Sequence, residues 1–138
     1  MYRFVVFLIA VAVLAGGTIA GASSSSGRTG SAYALVDPNG GSPQLIAAHT
    51  HGFTAVSVGP FGQGDYCLAP SPGVDVADPA AVASVEAFYS DAFGIATVRY
   101  PTTGPSCPAG QLEVKTFVDS PATALSDQIA FTVIVPQS

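Results

Sequence analysis

Ala32-Tyr33-Ala34-Leu35-Val36, then Asp37-Pro38-Asn39-Gly40-Gly41, then Gln44-Leu45-Ile46-Ala47-Ala48-His49-Thr50: this run decides the fold. Two apolar stretches flank a turn in which Pro38 fixes φ and Asn39 or Gly40 can take positive φ, which is the signature of a β-hairpin. Outward from it the same cadence repeats. His51-Gly52 makes the next corner, and Phe53 to Val58 a third strand that runs into the Gly-rich bend from Gly59 to Gly64. Asp65 to Ala69 is a fourth strand and carries Cys67. After the long connection Pro70 to Pro79, Ala81 to Tyr89 reads as a strand, although Asp78-Pro79 would also serve as N-cap and first turn of an Ala-rich helix.

Ile95 to Tyr100 precedes a loop, Pro101 to Gly110, that holds Cys107. In Leu112 to Asp119, Leu112, Val114, Thr116 and Val118 point one way and Glu113, Lys115 and Asp119 the other, the period of two of a strand with one wet face. Ile129 to Val135 is apolar on both sides, with Ala130 and Ile134 opposite Ile129, Phe131, Val133 and Val135, so it reads as a central strand covered on both faces. About eight strands, with punctuation every 8 to 15 residues, give an all-β fold: an antiparallel β-sandwich, immunoglobulin-like or jelly-roll-like, with one disulfide. Eleven prolines leave little room for long helices.

The first segment carries the expected compartment. Met1-Tyr2-Arg3 is a short positive segment, Phe4 to Ala15 an unbroken apolar run, and Ala20-Gly21-Ala22 the small-x-small pattern that signal peptidase reads. We expect residues 1–22 to be a signal peptide, 23–31 a flexible polar lead-in and 32–138 the sandwich domain, secreted or held at the cell surface. The alternative is an uncleaved anchor, since Phe4 to Ala22 carries no charge and approaches the length that spans a bilayer. Membrane contact is expected only through that segment. The two cysteines, Cys67 and Cys107, suit one bridge in an oxidising compartment, with a free or intermolecular thiol pair as the alternative.

Composition excludes several functions. With 49% hydrophobic and 9% charged residues the chain is not of the disordered class. Its net charge is −5, and Arg28, Arg99 and Lys115 are the only cations left once Arg3 departs with the leader. Nucleic acid and anionic membrane surfaces are therefore not expected partners.

The strings AYALVDPNG, GDYCLAP, CPAGQLEVKTF and AFTVIVP resemble short exported bacterial β-domain proteins of actinobacterial type, which are uncharacterised. The likeness covers about Ala32 to Pro136. It implies a disulfide-bearing β-domain and carries no activity, so no functional residue is transferred.

One constellation has metal-ligand spacing. On a strand, His49 and His51 share a face, so both imidazoles could reach one metal ion. No third histidine exists, and carboxylates such as Asp65 or Asp91 would have to complete the set. The alternative is two exposed polar residues at a strand end. No Gly-x-Ser-x-Gly elbow is present, Asp75 and Asp78 read as solvated turn formers, and Asp37-Pro38-Asn39-Gly40 lacks the alternating acids of a calcium loop. Phe61 and Tyr100, each beside proline, are the aromatics expected on loops and are candidates for partner binding.

The sequence thus points to a secreted, non-catalytic β-module that binds a protein or glycan through its loops, with no cofactor and no deep pocket. The competing reading is a small secreted metalloprotein or hydrolase built on His49 and His51. A third is a structural role, as a retained anchor or surface polymer.

Overall fold

The computed structural model describes residues 30–77, 80–99, 106–118 and 124–137. The expected signal segment, most of the polar lead-in and Tyr100 lie outside these residues. Eight strands form in chain order: β1 (Ser31–Asp37), β2 (Gln44–His51), β3 (Phe53–Gly59), β4 (Gly62–Pro70), β5 (Val82–Val85), β6 (Gly94–Arg99), β7 (Leu112–Val118) and β8 (Phe131–Pro136). They make two antiparallel sheets of four, ordered β2-β1-β8-β5 and β3-β4-β7-β6.

The first hairpin forms as its sequence requires: Asn39, Gly40 and Gly41 all take positive φ between β1 and β2. The domain starts slightly earlier than expected, because Ser31 pairs with Pro136 and the Gly30 carbonyl accepts from the Gln137 amide. Alternation then builds the core. Ala32, Ala34 and Val36 of β1 and Phe131, Val133 and Val135 of β8 face Phe53 of β3, Tyr66 and Leu68 of β4, and Leu112 and Val114 of β7, all buried. The Tyr66 and Phe131 rings meet across the two layers, 5.4 Å between centroids. The Cys67–Cys107 disulfide spans 40 residues and ties the β6–β7 connection to β4.

At Gly64 of β4 (φ +80°) any Cβ would collide with the backbone nitrogen of Ser126, so the glycine permits the segment before β8 to lie against β4. Thr116 fastens the same segment by donating to the Ser126 carbonyl.

Three expectations are corrected. The segment Ala81 to Tyr89 is a strand only over Val82–Val85. Beyond it the Glu86 amide still donates to the Ala130 carbonyl, but the Ser90 hydroxyl then accepts from the Ala130 amide and donates to the Glu86 carbonyl, which turns the chain out of the ladder. β8 is central, between β1 and β5, yet only one of its faces is fully covered: Ile134 is 47% exposed because its neighbours across the strands are Tyr33 and Val82, themselves exposed. Conversely, the wet face expected on β7 is closed at Glu113, which is 3% exposed because the loop carrying Cys107 folds back over it.

Candidate functional site

The outer faces of the two sheets differ in chemistry. On the second sheet, Asp65 of β4 faces Lys115 of β7, and Glu113 of β7 lies between Cys67 of β4 and Arg99 of β6. Arg99 donates to Glu113 Oε1 at 2.8 Å, Lys115 Nζ approaches the same oxygen at 3.5 Å, and the Cys107 amide donates to Oε2 at 3.3 Å. Asp65 is fully buried; one carboxyl oxygen accepts from the Phe61 amide at 3.0 Å and the other has no hydrogen-bond partner among the described residues. Burial therefore raises its carboxyl above the usual carboxylate range, against the opposing pull of the Phe61 amide.

Phe61 closes this cluster from above. Its ring lies 3.4 Å from Lys115 Nζ and 5.3 Å from Arg99 Cζ, so a residue expected to contact a partner has one face occupied by the protein's own cations. The whole arrangement is a turn clamp: Asp65 holds the β3–β4 bend, and Glu113 holds the disulfide loop. Asp65 is also removed from His49 and His51, which lie on the opposite side of the sandwich.

On the first sheet, the cross-strand register aligns Val82, Ile134, Tyr33 and His51 in one row and Ser84, Thr132 and Leu35 in the next. Val82, Ile134 and Tyr33 are exposed, and the His51 ring lies 5.9 Å from that of Tyr33. Opposite Leu35 the β1–β2 ladder jumps from Ala34↔Thr50 to Val36↔Leu45, so β2 bulges out over Ile46 to His49. The Thr50 hydroxyl pins the bulge by donating to the Ile46 carbonyl at 2.9 Å. Bulges of this kind re-aim side chains. Here His49 joins Tyr33, Leu35, Thr132, Glu86, Phe88 and Tyr89 in lining an open groove of ≈ 460 Å³.

The far wall follows from the turn after β5. Glu86 accepts from the Phe88 amide at 3.0 Å, which fixes the bend, and the Phe88 and Tyr89 rings pack edge to face with centroids 5.1 Å apart. Phe88 remains 84% exposed at the lip. A second opening of ≈ 460 Å³ lies at the end of the sandwich beside His51 and Gly52, but it is lined mainly by Gly, Ser and Pro and offers little chemistry. Both are open depressions rather than enclosed cavities.

His49 and His51 thus both lie beside Tyr33, exposed, as their spacing requires. Among the described residues no group of three or more His, Cys, Asp or Glu side chains converges, so neither Asp65 nor Asp91 completes a ligand set with them. The aromatic wall escaped sequence reading because Glu86-Ala87-Phe88-Tyr89 was absorbed into the apolar strand before it. The string Phe88-Tyr89-Ser90-Asp91, rings followed by turn formers, is the signal that marks a loop presenting aromatics.

Comparison with known protein families, curated proteins and solved structures finds no match to this chain.

Proposed function

We propose that the chain acts outside the cytoplasm as a non-catalytic binding module, and that it receives a protein or glycan partner on the outer face of the first sheet. The observation that carries this reading is the exposure of Phe88, at 84%, on the lip of a groove already lined by Tyr33, Leu35 and Tyr89. A phenylalanine left in water forgoes about 2 kcal/mol of burial, and apolar clusters rimmed by polar groups mark interaction sites. The site is a strand face with one loop as its wall, not the loop tips alone. The disulfide supports the compartment, since such bridges persist where the milieu is oxidising.

The test pans the folded protein against a phage-displayed peptide library and a glycan microarray, in parallel with Phe88→Ser and Tyr33→Ser. Ligands lost in both variants, whose thermal midpoints stay within a few degrees of the parent, support the reading. Ligands indifferent to both substitutions place recognition elsewhere and refute it.

A further inference from the structure

Resting on that reading, we infer that the groove takes a neutral oligosaccharide, with a sugar ring stacked on Tyr33 or Phe88 and its hydroxyls bonded to Glu86, His49 and Thr132. Three observations lead there. The first is amphipathy. A pyranose has an apolar C–H face and a hydroxyl-bearing rim, so its complement is an aromatic plane flanked by groups that both donate and accept. The groove sets three aromatic residues among a carboxyl, an imidazole and a hydroxyl. Strand addition by a peptide uses the backbone of an open edge, whereas this groove lies on a sheet face, with Leu35 of β1 and Thr132 of β8 from the two inner strands.

Size is the second. A groove of ≈ 460 Å³ falls in the range of small-ligand sites.

Charge is the third. Glu86 is the one carboxyl in the lining and no Lys or Arg joins it; the two cations among the described residues, Arg99 and Lys115, are on the second sheet bound to Glu113. A uronic acid, sulfate or phosphate would meet a carboxyl with no counter-charge. An anionic ligand is therefore disfavoured, and a neutral sugar needs no counter-charge. His49 shares this face because it lies two residues from His51, the partner of Tyr33 across the strands.

Isothermal calorimetry on the folded protein tests this, with neutral glycans chosen as the strongest hits on a microarray covering neutral and acidic structures, and with hexagalacturonate as the acidic probe. The expected result is binding of a neutral oligosaccharide with Kd between about 10 μM and 1 mM, weakened at least tenfold by Tyr33→Ala and by Phe88→Ala and unchanged by Phe61→Ala on the other sheet. Hexagalacturonate should bind at least tenfold more weakly. Equal or tighter binding of hexagalacturonate, or indifference of the neutral sugar to both aromatic substitutions, overturns the inference. If the glycans fail and selected peptides bind in a Tyr33-dependent way, the sugar assignment falls and the binding-module reading stands. If neither class binds through Tyr33 and Phe88, both fall.

Discussion

Removing one oxygen from the core should stabilise this protein, and the gain should grow with pH. Tyr66 is wholly buried between the sheets against Phe131, and its hydroxyl makes no well-formed hydrogen bond among the described residues, although Thr116 and Gly64 are its polar neighbours. A buried polar group without a partner costs about 1–3 kcal/mol, so Tyr66→Phe, which keeps the ring, should gain about 1 kcal/mol at pH 7, or roughly 4–8 °C in Tm. Burial also pushes the phenol up to about 12, with the neighbouring Thr116 hydroxyl acting the other way and the Asp127 carboxylate adding to the rise.

Because the folded state resists ionisation, the unfolded chain loses the Tyr66 proton first. The stability conferred by the neutral phenol is complete below about pH 10 and drains away as pH rises toward 12. Two pH units correspond to about 2.7 kcal/mol, and about half of that is reached by pH 11. Urea denaturation followed by circular dichroism at pH 7, 9, 10 and 11 should show the variant ahead throughout, with the margin widening only above pH 9. A loss of more than about 1 kcal/mol at pH 7 would mean that the hydroxyl is bonded in solution, and a margin that stays constant to pH 11 would refute the titration argument.

Three further outcomes follow from the same structure. Replacing Cys67 and Cys107 by Ser releases a loop of 40 residues and should cost about 4 kcal/mol in the chain-entropy account, read as a drop in urea midpoint that reductant reproduces in the parent. Asp65→Asn keeps an oxygen for the Phe61 amide while removing the buried charge; the parent loses stability as pH climbs from about 4 through its raised carboxyl pKa, so the two proteins should match near pH 3 and the variant should lead at pH 7. Gly64→Ala combines positive φ with a clash on Ser126 and should cost more than 2 kcal/mol, whereas Gly62→Ala, with positive φ and open space, should cost about 1, a contrast that calorimetric scanning resolves.

Much of the fold was legible because its signals are local. The Pro38–Gly41 turn, the period of two in β7 and the apolar run of β8 each specify a strand or corner by themselves, and an even cysteine count specifies one bridge. What escaped depended on contacts between distant segments. Glu113 reads as a solvated strand residue until the loop bearing Cys107 is folded onto it, and Ile134 reads as covered until its neighbours prove to be Tyr33 and Val82. The termination of β5 rests on Ser90 bonding to Ala130, 40 residues away, which no local pattern announces. The groove was hidden for the same reason. His49 drew notice for its spacing to His51, yet the groove it lines also needs Thr132 of β8 and the Phe88–Tyr89 turn, which are far from it in sequence.

The position of β8 has a consequence for how the molecule comes together. β8 sits between β1 and β5, so those two strands share no edge and neither can finish its hydrogen bonding until residues 131–136 arrive. During synthesis the β1–β2 hairpin must wait, half satisfied, until β8 has been made. Pairings this remote in sequence are slow to nucleate. Trimming the tail before Phe131 should therefore leave a product that never matures, rather than a smaller version of the same sandwich.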